Sequence, residues 1–423
     1  MNILYICHRI PYPPNKGDKI RSFNEIKYLS KKHDISLVCL VDNKKDLIYI
    51  DELKKYCKTI DYDVIKPNRQ KIKSLAYLFS KSPLSVPYFY SRKLQRAVEY
   101  RLSIVKFDAV FAFSSPMAEY VFKSKAISNN NAQVRLIMDF VDVDSDKWRM
   151  YSEHSFFPKS LIYKNEWKRL MAYERKIAEI FDVSVFVSDA EAELFKSIAP
   201  NVKSVSIPNG VDFEYFRDVR NVHSEALGQD IRTNEVIERA ERSNGLNILF
   251  TGAMDYFPNE DGVLFFYNES WSHIKDKLPQ ARFYIVGDNP SRRIKNIAKR
   301  DKDVIVTGYV SDVRDYFSIA NIFIAPLRVA RGIQNKVLEA LAAGLPVVAT
   351  SVAVQGIGCN GDGFLFIEDS PLKFAERTVE LAKRQLSNDV NEKRESFLKQ
   401  KFSWKENFEK LGLIIEKNGG IKC

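Results

Sequence analysis

The sequence has few cysteines and histidines, and none of them lies at a spacing that suits a disulfide framework or a metal site. Its five cysteines are scattered along 423 residues without a C-x-x-C pair, and its five histidines are equally dispersed. Disulfide-rich domains and zinc sites need such residues at short, regular spacings. We therefore expect neither of these features, and we expect no bound metal.

Long apolar runs are also missing. No apolar stretch reaches the length of about 20 residues that a membrane-spanning helix needs. The opening run from Met1 to Cys7 is short and apolar and has no basic leader, so we interpret it as a first strand and not as a signal peptide. These absences predict a cytoplasmic protein.

Acidic residues are outnumbered by basic ones, 54 to 65, which gives a formal net charge of +11. Such a charge favours anionic partners, namely nucleotides, lipid head groups or nucleic acid, although solubility alone would also explain it. Apolar residues make up 45% of the chain, which excludes wholesale disorder, and the length of the chain suits two domains.

One long stretch, from Val64 to Val98, contains no Asp or Glu at all. Basic residues alternate in this stretch with apolar and aromatic ones. The basic residues are Lys66, Arg69, Lys71, Lys73, Lys81, Arg92, Lys93 and Arg96. The apolar and aromatic residues are Leu75, Tyr77, Leu78, Phe79, Tyr88, Phe89 and Tyr90. One hypothesis is that this acid-free stretch rests on an anionic membrane surface. The alternative is a solvated basic helix whose aromatic side chains enter the core.

The N-terminal part of the sequence predicts the start of a doubly wound domain. Ile3 to Cys7 and Ile35 to Leu40 are apolar enough for buried strands, and a helix is expected from about Phe23. Ligands of such domains bind beyond the carboxyl ends of the strands. We therefore interpret the residues before this helix as a ligand loop, whose candidates are Gly17, Asp18, Lys19 and Arg21; a surface turn broken by prolines is the alternative.

A second loop follows the predicted strand from Val134 to Met138. It carries four aspartates, Asp139, Asp142, Asp144 and Asp146. The Gly and the distal Glu of a calcium-binding EF-hand loop are missing, so we discount calcium. Capping of the next helix explains some of these carboxylates, and a ligand contact explains others. The sequence does not separate the two roles.

The most informative stretch lies near the C-terminal third. Residues 320–325 predict a buried strand, residues 337–343 a short helix ended by Gly344, and residues 346–350 the next strand. The glycine-bearing loop between them enters the N-terminus of a helix, where backbone N–H groups and the helix dipole favour phosphate. Lys336 and Glu339 lie three residues apart, on one helix face. This combination suits a sugar nucleotide, because the cation meets phosphate and the carboxylate meets ribose hydroxyls.

The run from Asn335 to Thr350 resembles the signature of family 4 glycosyltransferases of the GT-B fold. In that family the residue at the position of Glu339 contacts the ribose, and a second Glu lies eight residues earlier. Here that earlier position is Arg331, which could instead serve the diphosphate. The resemblance implies a retaining reaction without metal, in which Lys336 and Arg331 stabilise the leaving group.

The same resemblance assigns the remaining candidates. Asp142 or Asp139 stands where the family often has a His that touches the transferred sugar, and Asp142 is our catalytic candidate. The expected donor-binding residues are Glu339, Gly332, Ile333, Gln334, Arg328, Tyr309, Val310 and Gly17, of which Tyr309 and Val310 would hold the nucleotide base. The expected acceptor-binding residues are Asp18, Lys19, Arg21 and Asp139.

Further motifs are similar to the sugar transferases of exosortase exopolysaccharide systems. These motifs are Lys16 to Phe23, Asp139 to Trp148, Glu174-Arg-Lys, Phe186 to Glu191 and Ala330 to Lys336. Only the charged segment from Arg217 to Asn244 has no counterpart, and we expect it to be a loop or a surface helix. Gly356 to Gly361 matches G-x-G-x-x-G, but a predicted strand and not a helix follows it, so we reject a dinucleotide fingerprint.

We therefore expect an α/β protein of the GT-B fold, with two Rossmann-like domains that face each other across a cleft. Residues 1–209 would bind the acceptor and residues 210–423 the nucleotide sugar, with the last helix crossing back to the first domain. The expected function is sugar transfer to a lipid-linked or polysaccharide hydroxyl in exopolysaccharide biosynthesis, at the inner face of the plasma membrane and without a nucleic-acid partner. The alternatives are a sugar-nucleotide epimerase or hydrolase, and a non-enzymatic protein that binds membrane or nucleic acid.

Overall fold

The computed structural model describes residues 1–78, 80–129, 134–217, 219, 245–358, 362–382 and 386–416. Phe79, most of the charged segment from Arg217 to Asn244, and the second half of the Gly356 to Gly361 motif lie outside these residues. The chain divides into two compact units, which are residues 1–208 with the chain from Lys405 onward, and Asn209–Trp404.

The first unit contains a parallel sheet with the strand order β3-β2-β1-β4-β5-β6-β7. Among its described residues the strands are β1 (Asn2–Cys7), β2 (Asp34–Val41), β3 (Thr59–Val64), β4 (Ala109–Phe113), β5 (Arg135–Val141), β6 (Val183–Phe186) and β7 (Ser204–Ser206). The central strands are continuously apolar because helices cover both faces of the sheet. β1 lies between β2 and β4, so the strand order reverses at its carboxyl end, where such sheets bind ligands.

The helices of this unit connect successive strands. They are α1 (Gly17–Leu29), α2 (Ile50–Leu53), α3 (Pro67–Leu75), α4 (Ser85–Phe89), α5 (Arg92–Ile104), α6 (Ala118–Phe122), α7 (Lys125–Asn129), α8 (Asp144–Glu153), α9 (Lys159–Ile180) and α10 (Asp189–Ile198). α8 and α9 form a helical hairpin whose connection runs from His154 to Pro158.

The second unit repeats this design with the strand order β10-β9-β8-β11-β12-β13, again all parallel. Its described strands are β8 (Asn247–Thr251), β9 (Arg282–Val286), β10 (Val304–Gly308), β11 (Ile322–Ala325), β12 (Val347–Ala349) and β13 (Leu365–Ile367). Its described helices are α11 (Phe213–Arg217), α12 (Phe257–Phe266), α13 (Ser272–Lys277), α14 (Arg292–Arg300), α15 (Arg314–Ile319), α16 (Asn335–Ala342), α17 (Pro371–Ala382) and α18 (Asn388–Lys401).

The last helix, α19 (Trp404–Glu416), packs on the first unit. Phe408 is fully buried, and its ring lies 5.9 Å from the ring of Tyr28 on α1. None of the helices in the described part of the chain combines the length and hydrophobicity of a membrane span.

The structure confirms the predicted α/β class with two Rossmann-like domains, but it corrects the prediction for the N-terminal loop. The helix begins at Gly17 and not near Phe23, so Gly17, Asp18, Lys19 and Arg21 all lie in its first turns. The predicted strand–loop–helix–strand unit around Lys336 is confirmed as β11, α16 and β12.

Candidate active site

The loop between β11 and α16 brings the predicted donor-binding residues to the carboxyl end of the second sheet. Gly332 has a φ of +62°, a left-handed conformation that glycine adopts without strain. Gln334 precedes the helix and makes no side-chain cap, and its amide donates to the Arg331 carbonyl at 2.9 Å. The first N–H groups of α16 therefore receive no cap from Gln334, which suits an anion at this helix end.

Lys336 lies in the first turn of α16 and is partly buried. Its Nζ donates to the Asn259 side-chain oxygen and lies 4.5 Å from the centre of the Phe250 ring. Burial lowers the pKa of Lys336 to about 7, against the opposing effect of Glu339. An ammonium in such a place gains most when an anion arrives to balance it.

Glu339 is the matching carboxylate one turn further along α16. Burial raises the pKa of Glu339 to about 7, although the charge of Lys336 acts in the other direction. The apolar residues of α16 face the core, since Val337, Leu338 and Leu341 are fully buried. Lys336 and Glu339 thus share the face that the core does not use, and both titrate near neutral pH.

Gly252, at the end of β8, makes room for the Lys336 side chain. Its φ is +153°, and a Cβ built there would lie 2.6 Å from Asn259 Nδ2 and 3.0 Å from Lys336 Nζ. A side chain at position 252 would therefore displace both groups. The sequence analysis did not assign a role to Gly252 or Asn259. The position of Gly252 directly after a strand is the sequence signal that could have indicated it.

The other predicted donor residues lie around this loop with different surroundings. Arg328 is half-exposed and pairs with Asp261, to which its Nε donates at 2.9 Å, so its charge is already balanced. Arg331 lies in the same loop and is partly buried, and Ile333 is buried. Tyr309 is 68% exposed and follows β10 with Val310. The assignment of the nucleotide base to these two residues stays a prediction.

In the first unit, a cluster of charged residues lies at the carboxyl ends of β1 and β2. Asp18 accepts hydrogen bonds from His8 Nε2 at 3.0 Å and from Arg9 at 2.6 Å, and Arg9 also donates to Asp42 at 2.8 Å. Burial alone would raise the pKa of Asp18, but the hydrogen bond from His8 and the charge of Arg9 hold it well below its usual range. His8 and Arg9 were missed by the sequence analysis, although both directly follow a strand.

Lys19, Arg21 and Asp139, which the resemblance assigned to the acceptor, are instead bound within the protein. Lys19 is 2% exposed and donates to Asp46 at 2.7 Å. Arg21 and Asp139 are both fully buried and form an ion pair with an Nε–Oδ2 distance of 2.8 Å. In this structure these side chains have almost no surface that an acceptor could contact. Their acceptor-binding role stays a prediction, and the buried ion pair of Arg21 and Asp139 suits a positioning role.

The loop that carries Asp142 is held by three buried carboxylates. Asp139 accepts from the backbone N–H of residue 141 at 2.8 Å, Glu191 from residue 143 at 2.7 Å, and Glu174 from residue 145 at 3.0 Å. Val141 has a φ of +69°, which is strained for a β-branched residue and is typical of functional sites. These hydrogen bonds stabilise the strained turn, and they explain the Glu174 and Glu191 motifs that the sequence contains.

Asp142 itself is partly exposed at the carboxyl end of β5. Its pKa is raised by burial, while Lys147, whose Nζ lies 4.0 Å from its carboxylate, opposes the shift. Asp144 and Asp146 lie in the first turn of α8, where they form ion pairs with Lys147 and Arg149. The structure thus separates Asp142, which lies before the helix, from the aspartates of its first turn.

Comparisons with known proteins agree with this geometry. Residues 245–384, most of the second unit, match the model of glycosyl transferases group 1. The matched part of the chain is therefore similar to group 1 glycosyl transferases. A Klebsiella pneumoniae protein, described as an uncharacterized 44.6 kDa protein in the cps region, is 21% identical to this chain over 396 residues, which cover 90% of this chain and 91% of the relative.

Solved structures show that the chain has the GT-B fold. Sucrose-phosphate synthase from Thermosynechococcus elongatus superposes with a TM-score of 0.68 at 14% identity and 98% coverage of both chains. Anabaena HepE in complex with UDP-glucose has a TM-score of 0.67 at 13% identity, with coverage of 98% and 99%. A glycosyltransferase from Rickettsia africae has a TM-score of 0.60 at 16% identity and 99% coverage of both chains.

The described residues of the chain contain no group of three or more His, Cys, Asp or Glu side chains that could hold a metal ion. The three cysteines in this part of the chain, Cys7, Cys39 and Cys57, are buried and free. Whether the reaction needs an added metal is a separate matter, and metal independence stays a prediction.

Proposed function

We propose that this protein is a glycosyltransferase that moves a sugar from a nucleotide-diphosphate sugar to a hydroxyl acceptor with retention of anomeric configuration. The observation that carries this proposal is the paired placement of Lys336 and Glu339 at the N-terminal end of α16, beside Gly252 and Asn259. The ammonium and the helix N-terminus suit a diphosphate, and the carboxylate suits the ribose hydroxyls. HepE was solved with UDP-glucose, which supports a uridine nucleotide as the first donor to test.

The proposed step forms one bond and breaks another on the same face of the donor sugar. The acceptor oxygen bonds to the anomeric carbon while the bond from that carbon to the diphosphate oxygen breaks. The proton of the acceptor hydroxyl passes to the departing phosphate oxygen, so no carboxylate nucleophile is required. Lys336 in its charged form and Arg331 stabilise the negative charge that develops on the leaving group.

The first unit supplies the acceptor side in this proposal. Asp142 accepts a hydrogen bond from an acceptor hydroxyl and so orients it, while the proton of the reacting hydroxyl passes to the leaving phosphate. The strained turn at Val141 fixes the direction of the Asp142 carboxylate. The Klebsiella pneumoniae relative lies in a cps region, which supports a role in polysaccharide synthesis and hence a lipid-linked or polysaccharide acceptor. The resemblance to exosortase-associated transferases points the same way, and a cytoplasmic location stays a prediction.

The decisive experiment measures nucleoside diphosphate release from a panel of nucleotide sugars, with and without a polyprenyl-diphosphate-linked saccharide. A transferase releases the diphosphate only with acceptor, whereas a hydrolase or epimerase would turn over the donor without it. We expect Lys336→Ala to lower kcat by about 100-fold or more, because it removes a charge that stabilises the transition state. Glu339→Ala should mainly raise the KM for the donor. Equal, mild effects of both substitutions would contradict the assignment.

A further inference from the structure

The connection between α8 and α9 exposes two adjacent large apolar side chains. Phe156 is 93% exposed and Phe157 is 81% exposed, and Leu161, one turn into α9, is 53% exposed. Contiguous exposed apolar groups of this size mark an interaction surface and not ordinary surface variation. We call residues 154–162 the hairpin tip.

A cluster of aromatic residues with polar atoms lies directly behind the hairpin tip. The ring of Trp148 lies 5.3 Å from Tyr163 and 5.7 Å from Tyr151, and all three side chains are partly exposed. Tyr and Trp are the residues that favour the boundary between water and hydrocarbon, because they combine an apolar ring with a hydrogen-bonding group. The phenylalanines lie at the tip and the tyrosines and tryptophan lie behind it. This order matches a bilayer, in which the hydrocarbon lies deeper than the head groups.

The charge around the hairpin tip is mainly positive. Glu153, which precedes the tip, is exposed but forms an ion pair with Arg149. From His154 to Tyr173 the only acidic residue is Glu166, which is 1% exposed and accepts hydrogen bonds from the backbone N–H of Leu84 at 2.8 and 2.9 Å. The basic side chains of the same stretch point into solvent, and they include Lys159, Lys164 and Lys168. A partner that receives both the phenylalanines and these lysines must be apolar within and anionic at its surface.

The acid-free stretch adjoins this helix. Arg169 of α9 donates to the carbonyl oxygens of Leu78 at 2.7 Å and Tyr77 at 3.4 Å. Ile72 is 71% exposed. Tyr88, Phe89 and Tyr90 pack against the core. These three aromatic residues therefore follow the second hypothesis for the acid-free stretch, in which the aromatic side chains enter the core. Its exposed part continues the basic, apolar surface of α9.

We propose that the hairpin tip enters the head-group region of an anionic lipid bilayer and holds the first unit on the membrane. The phenylalanines insert, Trp148 and Tyr163 lie at the interface, and the lysines contact lipid phosphates. This proposal goes beyond the sugar transfer proposed above and does not depend on it.

The test is co-sedimentation of the full chain with vesicles of equal parts phosphatidylglycerol and phosphatidylcholine. Phe156→Ser/Phe157→Ser should lower the partition coefficient about tenfold or more, because two apolar side chains no longer leave water. The matched control is Ile104→Ser/Ile180→Ser, which removes two apolar side chains that are 53% and 46% exposed elsewhere on the same unit. Lys159→Gln/Lys164→Gln should weaken binding about fivefold per charge, an effect that vanishes in vesicles of phosphatidylcholine alone.

Three outcomes would overturn the proposal. The first is that the wild-type protein does not bind the anionic vesicles. The second is that the Phe156/Phe157 variant binds them as tightly as the wild type does. The third is that the control variant loses as much vesicle binding as the Phe156/Phe157 variant. Light scattering tests the alternative that a second copy of the chain packs on the hairpin tip. A wild-type dimer that the Phe156/Phe157 variant cannot form would show this and would also overturn the proposal. An unchanged midpoint of urea unfolding for all variants confirms that the first unit is folded. Unchanged nucleotide-sugar binding keeps this result separate from the test of sugar transfer.

Discussion

Donor binding should depend on pH with a maximum near neutrality, because two groups that titrate there act in opposite directions. The pKa of Lys336 is lowered to about 7 and the pKa of Glu339 is raised to about 7, both because of burial. A diphosphate binds the protonated lysine, so affinity falls as the pH rises through the pKa of Lys336. Ribose hydroxyls donate to the ionised glutamate, so affinity falls as the pH drops through the pKa of Glu339.

The size of the effect follows from the two pKa values. If both groups titrate independently at about pH 7, about a quarter of the molecules at that pH have Lys336 charged and Glu339 ionised. At about pH 5 or pH 9 this fraction is about one in a hundred, so the association constant should fall about 25-fold on each side. Attraction between the two charges broadens the maximum but leaves both limbs in place.

The assay is isothermal titration calorimetry with a nucleotide sugar, whose diphosphate stays doubly ionised over this pH range and adds no titration of its own. Lys336→Met should abolish the alkaline limb, and Glu339→Gln should abolish the acid limb, each with weaker binding at neutral pH. A flat profile for the wild-type protein would refute the reasoning. An alkaline limb that survives in Lys336→Met would show that another group titrates there.

The remaining predictions concern the supports of the two sites and the question of metal. Gly252→Ala should weaken donor binding about tenfold or more by calorimetry, because its Cβ would displace Asn259 and Lys336. Gly358→Ala, at another position with a positive φ, +63°, is the control that should not. Burial raises the pKa of Glu174 to about 8. The protonated side chain therefore stabilises the folded state in acid. This contribution to the free energy of unfolding, up to about 5 kcal/mol, is lost as the pH rises from about 4.5 to 8. Glu174→Gln, which stays neutral, should therefore resist urea better than wild type at about pH 8 but not at about pH 5. Activity should survive excess EDTA, and a loss that Mg²⁺ restores would contradict the expected metal independence.

The sequence predicted β1, β2 and β5 of the first sheet because most of their residues are apolar. It did not predict β6, a short buried strand, or β3 and β7, which are the edge strands of the first sheet and are only partly buried. β3 includes Asp61 and Asp63, which form hydrogen bonds with Arg101 and Ser91 at the sheet edge. Polar residues in a short strand resemble a loop when only the sequence is considered, because the burial that defines a central strand is absent.

The candidate donor site was largely predictable, whereas the candidate acceptor side was not. Lys336 and Glu339 lie on one short helix, so their relation depends on helical spacing alone. Asp46, the partner of Lys19, lies 27 residues away along the chain, and Arg21 pairs with Asp139, 118 residues away, as well as with Glu25 one helical turn away. The Arg21–Glu25 spacing is also typical of an exposed helix face, so the local sequence does not show that these cations are neutralised in the interior. Their burial also explains why the helix begins early, since the first turn of α1 carries the groups that anchor it.

The balance of charge at the donor site explains why an arginine at position 331 matters. A bound diphosphate diester carries two negative charges, and Lys336 supplies on average only about half a positive charge at neutral pH before the donor arrives. A guanidinium, unlike a lysine ammonium, stays charged at every pH at which the protein is folded. We therefore expect Arg331, which stands where family 4 glycosyltransferases have a second Glu, to supply a permanent charge. Arg331→Gln should weaken donor binding equally at all pH values, whereas Lys336→Met changes the profile itself.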